Sequence, residues 1–455
     1  MLSRFTPFSP LEQRLFAKLN SLTNRFDSLL IQAQYEQVLV SVLRVGWHCG
    51  WPIAVLNEAH PERLTSQVAQ KVGRPIIFRW AAQGQVVVTE QDSTTGIEEW
   101  LDIEVESTAV ASPATQEPYE WQEDETALIL FTSGSTGLPK GVCHSFGNIT
   151  RSAQLFASHF SLSQDKVMVC LAPIHTMSGF RSMALQLLGN QRVEFIGPKP
   201  FLEIISDIRL IQPTYILCGP TFIDQLAALG SRLKEYVEGV DVLFCTGAEL
   251  NEISRKKVEQ LLGIPTLNYY GLTETSGIVL AETRHTQRPG CLPPACAGVR
   301  ITTPDCLQGG GIKKLVIHSP NLYLGYMGEK LCRRDSFDTG DLIEEVVASS
   351  VPFQTHYSLY GRQEGRVKAP STEWIHPHLL EKWLKTEYAP ADFSVHPVRV
   401  SGGFGIHVIA STDFSSSQDE VCTKIVQALG KDYCPVKWDY AEIQRTPLGK
   451  LVNAP

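Results

Sequence analysis

Phe131-Thr132-Ser133-Gly134-Ser135-Thr136-Gly137-Leu138-Pro139-Lys140-Gly141 is the stretch on which both fold and chemistry turn. It follows the apolar run from Ala127 to Phe131, which reads as a strand, and precedes a stretch that reads as helical. The ten residues after Phe131 hold four hydroxyl side chains, three glycines and a lysine. Glycines let backbone N–H groups approach a ligand closely, hydroxyls add donors, and a lysine neutralises charge. Together they make a triphosphate cradle. The pattern fails as a Walker A loop, because Pro139 stands where glycine is needed and Gly141 follows Lys140 in place of Ser or Thr. A P-loop kinase or ATPase is therefore excluded. A flexible Ser/Gly surface loop would not require the rigid Pro139-Lys140-Gly141 ending.

Working outward, the chain of 455 residues is long enough for two or three domains. A hydrophobic share of 43% with 19% charged residues supports a large buried core and argues against disorder. The formal net charge of −8 repels nucleic acid and anionic membrane, so neither is expected as a partner. Eleven cysteines without a CxxC pair point to a reducing compartment. Cys291, Cys296 and Cys306 fit no common zinc spacing, and His376 and His378 have no partner ligands nearby in sequence; both groups are read as structural. The apolar stretch from Val38 to Leu56 contains Arg44, His48, two glycines and Pro52, so it reads as a buried helix running into a strand, and no membrane span is expected. The N-terminus lacks the continuous apolar core of a signal peptide. It is basic and amphipathic, which leaves organelle targeting as the alternative to a cytoplasmic location.

Short apolar runs recur at helix-length intervals: Val167 to Leu171, Tyr215 to Leu217 and Val242 to Cys245, with helical patterns at Glu203 to Ile211 and Ile253 to Leu262. That alternation predicts βα units and a largely parallel sheet. A strand from Lys314 to Ile317 follows the Gly309-Gly310-Gly311 stretch. The last ninety or so residues differ. Pro377 opens a helix with Leu379, Leu380, Trp383 and Leu384 on one face; strands follow at Phe393 to Val400 and Ile406 to Ala410; and Ser417-Gln418-Asp419-Glu420 forms a capping box before a helix ended by Gly430. The expected fold class is α/β: a large N-terminal domain (1–361) of packed, partly parallel sheets with flanking helices, and a small mobile α+β C-terminal domain (362–455).

Further along the chain stand Thr246-Gly247-Ala248-Glu249-Leu250, Tyr270-Gly271-Leu272-Thr273-Glu274-Thr275, Phe337-Asp338-Thr339-Gly340-Asp341, Tyr360-Gly361-Arg362 and Arg445-Thr446-Pro447-Leu448-Gly449-Lys450. With the loop at 132–141, this series resembles the AMP-forming acyl-adenylate superfamily: acid–CoA ligases, peptide-synthetase adenylation domains and firefly-type luciferases. The resemblance runs from about Gln32 to Lys450. It implies ATP, Mg²⁺ and coenzyme A as cofactors and a small carboxylic acid as substrate. The loop residues Thr132, Ser133, Gly134, Ser135, Thr136, Gly137 and Lys140 would hold the phosphates. Glu274 would be the Mg²⁺-linked carboxylate and Thr273 an α-phosphate contact. Gly247, Ala248 and Glu249 would form the adenine-side turn, with Tyr270 and Gly271 beside the ring. Asp341 would accept from both ribose hydroxyls, and Arg362 would hold the ribose–phosphate region. Lys450 would bridge the acid and the α-phosphate during adenylation, and Glu364 would be the hinge about which the small domain rotates for the thiol step.

The sequence departs from that pattern in places. Leading strands ahead of the phosphate loop look shortened. Gly365 replaces the acidic residue that usually follows the hinge, and Ala369-Pro370-Ser371-Thr372-Glu373-Trp374 lacks the glycine of the thiol-side loop. In the acid-side segment Pro173-Ile174-His175-Thr176-Met177-Ser178-Gly179, Thr176 takes the usual His position and His175 that of an aromatic, making both acid-pocket candidates. Three functions follow: an acid–CoA ligase, similar in compact length to the o-succinylbenzoate–CoA ligases; an adenylating enzyme that loads the phosphopantetheine of an acyl carrier protein; and a non-catalytic nucleotide-binding relative.

Overall fold

The computed structural model describes residue 9 and residues 12–13, 15–17, 28–32, 37–56, 68, 75–80, 86–90, 98–101, 118–132, 140–189, 191–248, 250–284, 292, 299–302, 312–347, 355–362, 367–368, 374–400 and 403–445. The first strands and helix are β1 (Ser28–Gln32), α1 (Gln37–His48), β2 (Ile53–Leu56), β3 (Pro75–Trp80), β4 (Val86–Glu90), β5 (Glu98–Leu101), β6 (Thr126–Thr132) and β7 (Lys140–Ser145). They form a mixed sheet in the order β7-β6-β2-β1-β3-β4-β5, parallel at its centre and antiparallel toward both edges. The run from Val38 to Leu56 is a helix leading into a strand, as its charges and glycines predict.

Next come α2 (Phe146–His159), β8 (Val167–Cys170), α3 (Met177–Gly189), β9 (Arg192–Phe195), α4 (Phe201–Ile211), β10 (Tyr215–Cys218), α5 (Pro220–Leu229), β11 (Val242–Cys245), α6 (Glu252–Leu262) and β12 (Thr266–Tyr270). These are the βα units expected from the alternation. Their strands lie parallel in the order β12-β11-β10-β8-β9, with β13 (Leu280–Ala281) antiparallel at one edge. Strands β10 and β11 are buried at every residue, because helices cover both faces of this sheet. Trp47, Phe146, Phe156 and Phe180 fill the layer between the two sheets, and the Trp47 indole donates to the Ala127 carbonyl at 3.0 Å. On the other face Ile205, Ile208, Phe222, Leu226 and Val258 pack from α4, α5 and α6.

A third, antiparallel sheet joins β14 (Arg300–Thr302), β15 (Ile312–His318), β17 (Phe337–Val347) and β18 (Thr355–Arg362). Between them in sequence, β16 (Gly325–Tyr326) crosses back to pair with β7 of the first sheet. The last part comprises β19 (Val367–Lys368), β20 (Trp374–Ile375), α7 (Pro377–Glu387), β21 (Phe393–Val400), β22 (Gly403–Ala410), α8 (Gln418–Leu429) and β23 (Lys437–Tyr440). It has a core of its own, built on Leu380, Leu384, Phe393, Ile406, Val421 and Ile425. Ser417 Oγ accepts from the Glu420 backbone N–H at 3.3 Å, the first half of the expected capping box. The architecture is the α/β class that the alternation predicts. Among the described residues no helix is long and apolar enough to cross a membrane, and no group of three metal-ligating side chains occurs. Cys291, Cys296 and Cys306 lie outside the described residues.

One expectation is corrected. The stretch after the phosphate loop is a strand, β7, paired antiparallel with β6 so that Thr132 faces Lys140; the helix begins only at Phe146. Val142, Cys143 and His144 are all buried, which suits a strand enclosed on both faces. Ser145 then caps α2, its Oγ accepting from the Asn148 N–H at 3.2 Å.

Helix α6 is tied to the second sheet by a buried ion pair. Arg255 Nη1 lies 2.8 Å from Glu282 Oε1, with Glu252 and Glu259 at 3.5 and 3.3 Å from the same guanidinium. Glu282 also accepts from the Asn268 backbone N–H at 2.8 Å. Arg255→Met strands a buried carboxylate and is expected to cost about 3–5 kcal/mol. A urea midpoint equal to that of the parent protein would show that the pair is not needed for stability.

Candidate active site

The turn from Tyr270 to Gly277 is the centre of the site. Strand β12 delivers Tyr270, and the chain then doubles back: Gly277 N–H donates to Leu272 O at 3.0 Å, Ser276 N–H to Thr273 O at 3.0 Å, and Val279 N–H to Tyr270 O at 2.9 Å. The Thr275 hydroxyl sits inside, accepting from the Leu272 N–H at 2.9 Å. A Cβ on Gly271 would lie 1.2 Å from the Gly277 carbonyl oxygen, so only glycine permits this approach. The turn thereby places Thr273 and Glu274 beyond the strand end, where open parallel sheets gather their ligands.

Two hydrogen-bonded links connect the turn to the other expected site residues. Tyr270 Oη donates to Asp341 Oδ2 at 2.5 Å. Asp341 is held in turn by its own backbone N–H, which donates to Thr339 Oγ1 at 3.0 Å. The β17–β18 register sets Asp341 opposite Arg362, so pairing alone brings the ribose-side candidates together. The second link is Tyr326, which the sequence reading did not single out. Its hydroxyl donates to Glu274 Oε1 at 3.0 Å, and Lys140 Nζ stands 5.6 Å from its ring centroid. Burial, then the Glu274 carboxylate and Tyr323, push the Tyr326 phenol well above its ordinary value, so it stays protonated and donates. Strand β16 carries Tyr326 to this place by pairing with Val142 of β7, two residues along the strand from Lys140.

The remaining candidates sort as follows. Gly247 and Ala248 follow Thr246, whose hydroxyl donates to Tyr269 O at 3.0 Å, so the turn expected on the adenine side abuts the end of β12. Gly247 adopts φ +99°, open to glycine. Thr176 is a helix cap: its hydroxyl donates to Pro173 O at 2.7 Å and accepts from the Gly179 N–H at 3.2 Å. Local bonds thus occupy Thr176, while His175 beside it is half-buried. Ser133, Gly134, Ser135, Thr136, Gly137, Glu249, Glu364 and Lys450 lie outside the described residues, as does the side chain of Arg362. Thr132, Lys140, Gly247, Ala248, Tyr270, Gly271, Thr273, Glu274 and Asp341 are thus joined through β6, β7, the central turn and β17. A lone carboxylate such as Glu274 suits Mg²⁺, which is commonly held by one or two carboxylates together with substrate phosphates and water.

Behind the turn lies a buried polar knot. His144 is fully buried, with Nδ1 3.1 Å from Ser276 Oγ. Ser276 Oγ donates to Asn321 O at 2.6 Å, so its single hydrogen is spent and the imidazole Nδ1–H is the donor. Ser152 Oγ donates to Ser276 O, and Asn148 Nδ2 to Leu322 O at 2.7 Å. Strand β7, helix α2 and residues 321–322 therefore grip the turn from one side. Burial lowers the His144 pKa to about 3.

Comparison with known proteins identifies the family. The AMP-binding enzyme family matches residues 47–327. The chain is 27% identical over 238 residues to 4-coumarate–CoA ligase-like 2 of Arabidopsis thaliana, covering 48% of this chain and 42% of that protein. It is 27% identical over 229 residues to 2-succinylbenzoate–CoA ligase of Bacillus pumilus, covering 48% and 45%. The matched stretch thus spans less than half the length of either relative. Among solved structures, o-succinylbenzoate coenzyme A synthetase from Bacillus subtilis, in complex with ATP and magnesium ion, superposes with a TM-score of 0.79 at 19% identity. That match covers 97% of this chain and 91% of the other.

Two outcomes are expected. Tyr326→Phe removes a donor to a charged carboxylate and should lower the rate of ATP-dependent turnover about 10- to 100-fold with the melting temperature little changed; an unaltered rate would remove Tyr326 from the site. His144 stays neutral in the native state down to about pH 3, whereas the unfolded chain takes up its proton below about pH 6.5. Its contribution is therefore full above pH 6.5 and falls as pH drops, by about 1.4 kcal/mol per unit. His144→Asn keeps a donor for Ser276 and should flatten the decline in urea midpoint between pH 6.5 and 5; parallel slopes would refute the buried neutral imidazole.

Proposed function

The chain belongs to the AMP-binding enzyme family, and on that premise we propose that it is an ATP-dependent, AMP-forming acid–CoA ligase. The observation that carries this reading is the joining of Lys140, Tyr326 and Glu274 on one side of a single turn with Tyr270 and Asp341 on the other. A cation and a metal-type carboxylate at one end, and a buried aspartate at the other, suit a nucleotide laid across the end of β12.

In the first step a substrate carboxylate oxygen attacks the α-phosphorus of ATP, the bond to the bridging oxygen breaks, and pyrophosphate leaves with acyl-AMP remaining. Charge grows on the leaving oxygen, so fixed donors and cations there lower the barrier. Lys140 and the loop 132–137 take that part, with Thr273 at the α-phosphate. Mg²⁺ held by Glu274 would supply further neutralisation of phosphate charge. Asp341 accepts from the ribose hydroxyls, its carboxylate aimed by Tyr270, and Arg362 supports the ribose–phosphate region. Gly247, Ala248 and Glu249 wall the adenine. Lys450 bridges the acid and the α-phosphate. In the second step the coenzyme A thiolate attacks the acyl carbon and AMP leaves. Rotation of residues 362–455 about Glu364 exchanges Lys450 for the thiol.

The acid itself is read as an aryl acid such as o-succinylbenzoate, supported by the substrate for which the Bacillus pumilus relative and the Bacillus subtilis structure are named. The test is acid-dependent pyrophosphate release from ATP and Mg²⁺ across aryl, succinylaryl and fatty acids, with and without coenzyme A. A thioester from one acid class supports the ligase. Acyl-AMP that accumulates without thioester would refute coenzyme A as the acceptor. Lys450→Ala should slow pyrophosphate release by about 100-fold or more while thioester formation from supplied acyl-AMP persists; equal loss of both steps would refute the role given to Lys450.

A further inference from the structure

Five residues before Lys450 the chain is clamped. Arg445 Nε donates to Asp392 Oδ2 at 2.7 Å and its Nη2 to Asp392 Oδ1 at 3.0 Å, a two-pronged pair that fixes direction as well as distance. The same Nη2 reaches the Phe393 carbonyl oxygen at 2.9 Å and Glu381 Oε1 at 3.3 Å. The acceptors are themselves held. Asp392 Oδ1 accepts from the Phe393 N–H at 2.8 Å, and Glu381 Oε2 from the Val395 N–H at 3.3 Å. The Arg445 and Glu381 side chains are 18% and 15% exposed, so solvent screens this group far less than a surface ion pair.

The place of the clamp in the chain gives it a mechanical meaning. Glu381 lies on α7, and Asp392 and Phe393 open β21, so these partners of Arg445 all belong to residues 362–455. A fully extended chain covers at most about 3.4 Å per residue, so five residues keep Lys450 within about 17 Å of the clamp. A rotating body delivers a side chain only if that side chain is attached to it. On a slack strap a lysine would lag behind the rotation, approach the reacting atoms from no fixed direction, and linger where the thiol must enter.

We propose that Arg445 is a positioning residue for Lys450, with Asp392 as its anchor: the clamp makes the strap leading to Lys450 move as one body with α7 and β21. The inference rests on the ligase reading above and on the role given there to Lys450. Arginine suits the task because its planar fork engages both oxygens of Asp392 at once, which a lysine cannot do. Lys385 stands 2.5 Å from Glu381 and 3.4 Å from Asp392, so both carboxylates keep a cation when Arg445 is replaced, and the fold is expected to survive.

The experiment uses the full chain and measures the two half-reactions separately: acid-dependent pyrophosphate release, and thioester formation from supplied acyl-AMP. Arg445→Met should lower kcat for pyrophosphate release about 10-fold or more, while KM for ATP and the rate of thioester formation stay within about 3-fold of the parent. Arg445→Lys, which keeps the charge and loses the fork, should fall between the two. Equal loss in both half-reactions, or no loss in either, would overturn the proposal and leave the clamp a structural ion pair. Asp392→Asn should give the same split and covers the event that the Met variant fails to fold. Should no acid release pyrophosphate, the ligase reading fails by itself, and hydrogen exchange then decides the tether. The peptide covering residues 441–450 should exchange faster in Arg445→Met than in the parent, with β21 and β22 unchanged; equal exchange in that peptide refutes it.

Discussion

The contact between the Gly277 carbonyl oxygen and the α-carbon of Gly271 is what the site is built around. Two strands of chain can come that close only where one of them lacks a side chain. Because they do, eight residues fold into a knot that points Glu274 one way, Tyr270 another and Ser276 a third. Each then finds a partner far away in sequence: Tyr326 for Glu274, Asp341 for Tyr270, Asn321 and His144 for Ser276. The first sheet, the third sheet and helices α2 and α3 meet at this knot, and the relative placement of the site residues follows from it.

The two buried arginines show how differently the same side chain can be used. Arg255 closes a structural circuit in which its acidic partners are supplied by the fold. Arg181 is given two rings and a phenol, and no acid among the described residues.

Much of this was readable from the sequence because residue type carried it. Glycines, hydroxyls and a lysine at 132–141 announce phosphate chemistry, and the spacing of apolar runs announces the parallel sheet. The strand β7 was not readable: Gly-Val-Cys-His is short and apolar, and such a run has no period by which to tell strand from helix. That Thr176, an acid-pocket candidate, also caps α3 is decided by the local path of the backbone and has no signal in its residue type. Tyr326 and Arg181 gave no signal at all, since their meaning depends on neighbours 52 and 88 residues away. The domain boundary read at residues 361 and 362 falls at the last described residues of β18, which remain paired to Leu342 and Asp341.

The pairing of Thr132 with Lys140 has an entropic side as well. It ties the two ends of residues 133–139 together with ladder hydrogen bonds before any ligand arrives, so the cost of closing that loop is met by folding and not by binding. Loop-closure entropy grows only with the logarithm of length, about 0.6 kcal/mol per doubling. Evolution could therefore alter the composition of those residues, or lengthen them, without loosening the frame from which Lys140 projects. Drift in the loop and drift in the scaffold are uncoupled by a single rung of a β-ladder.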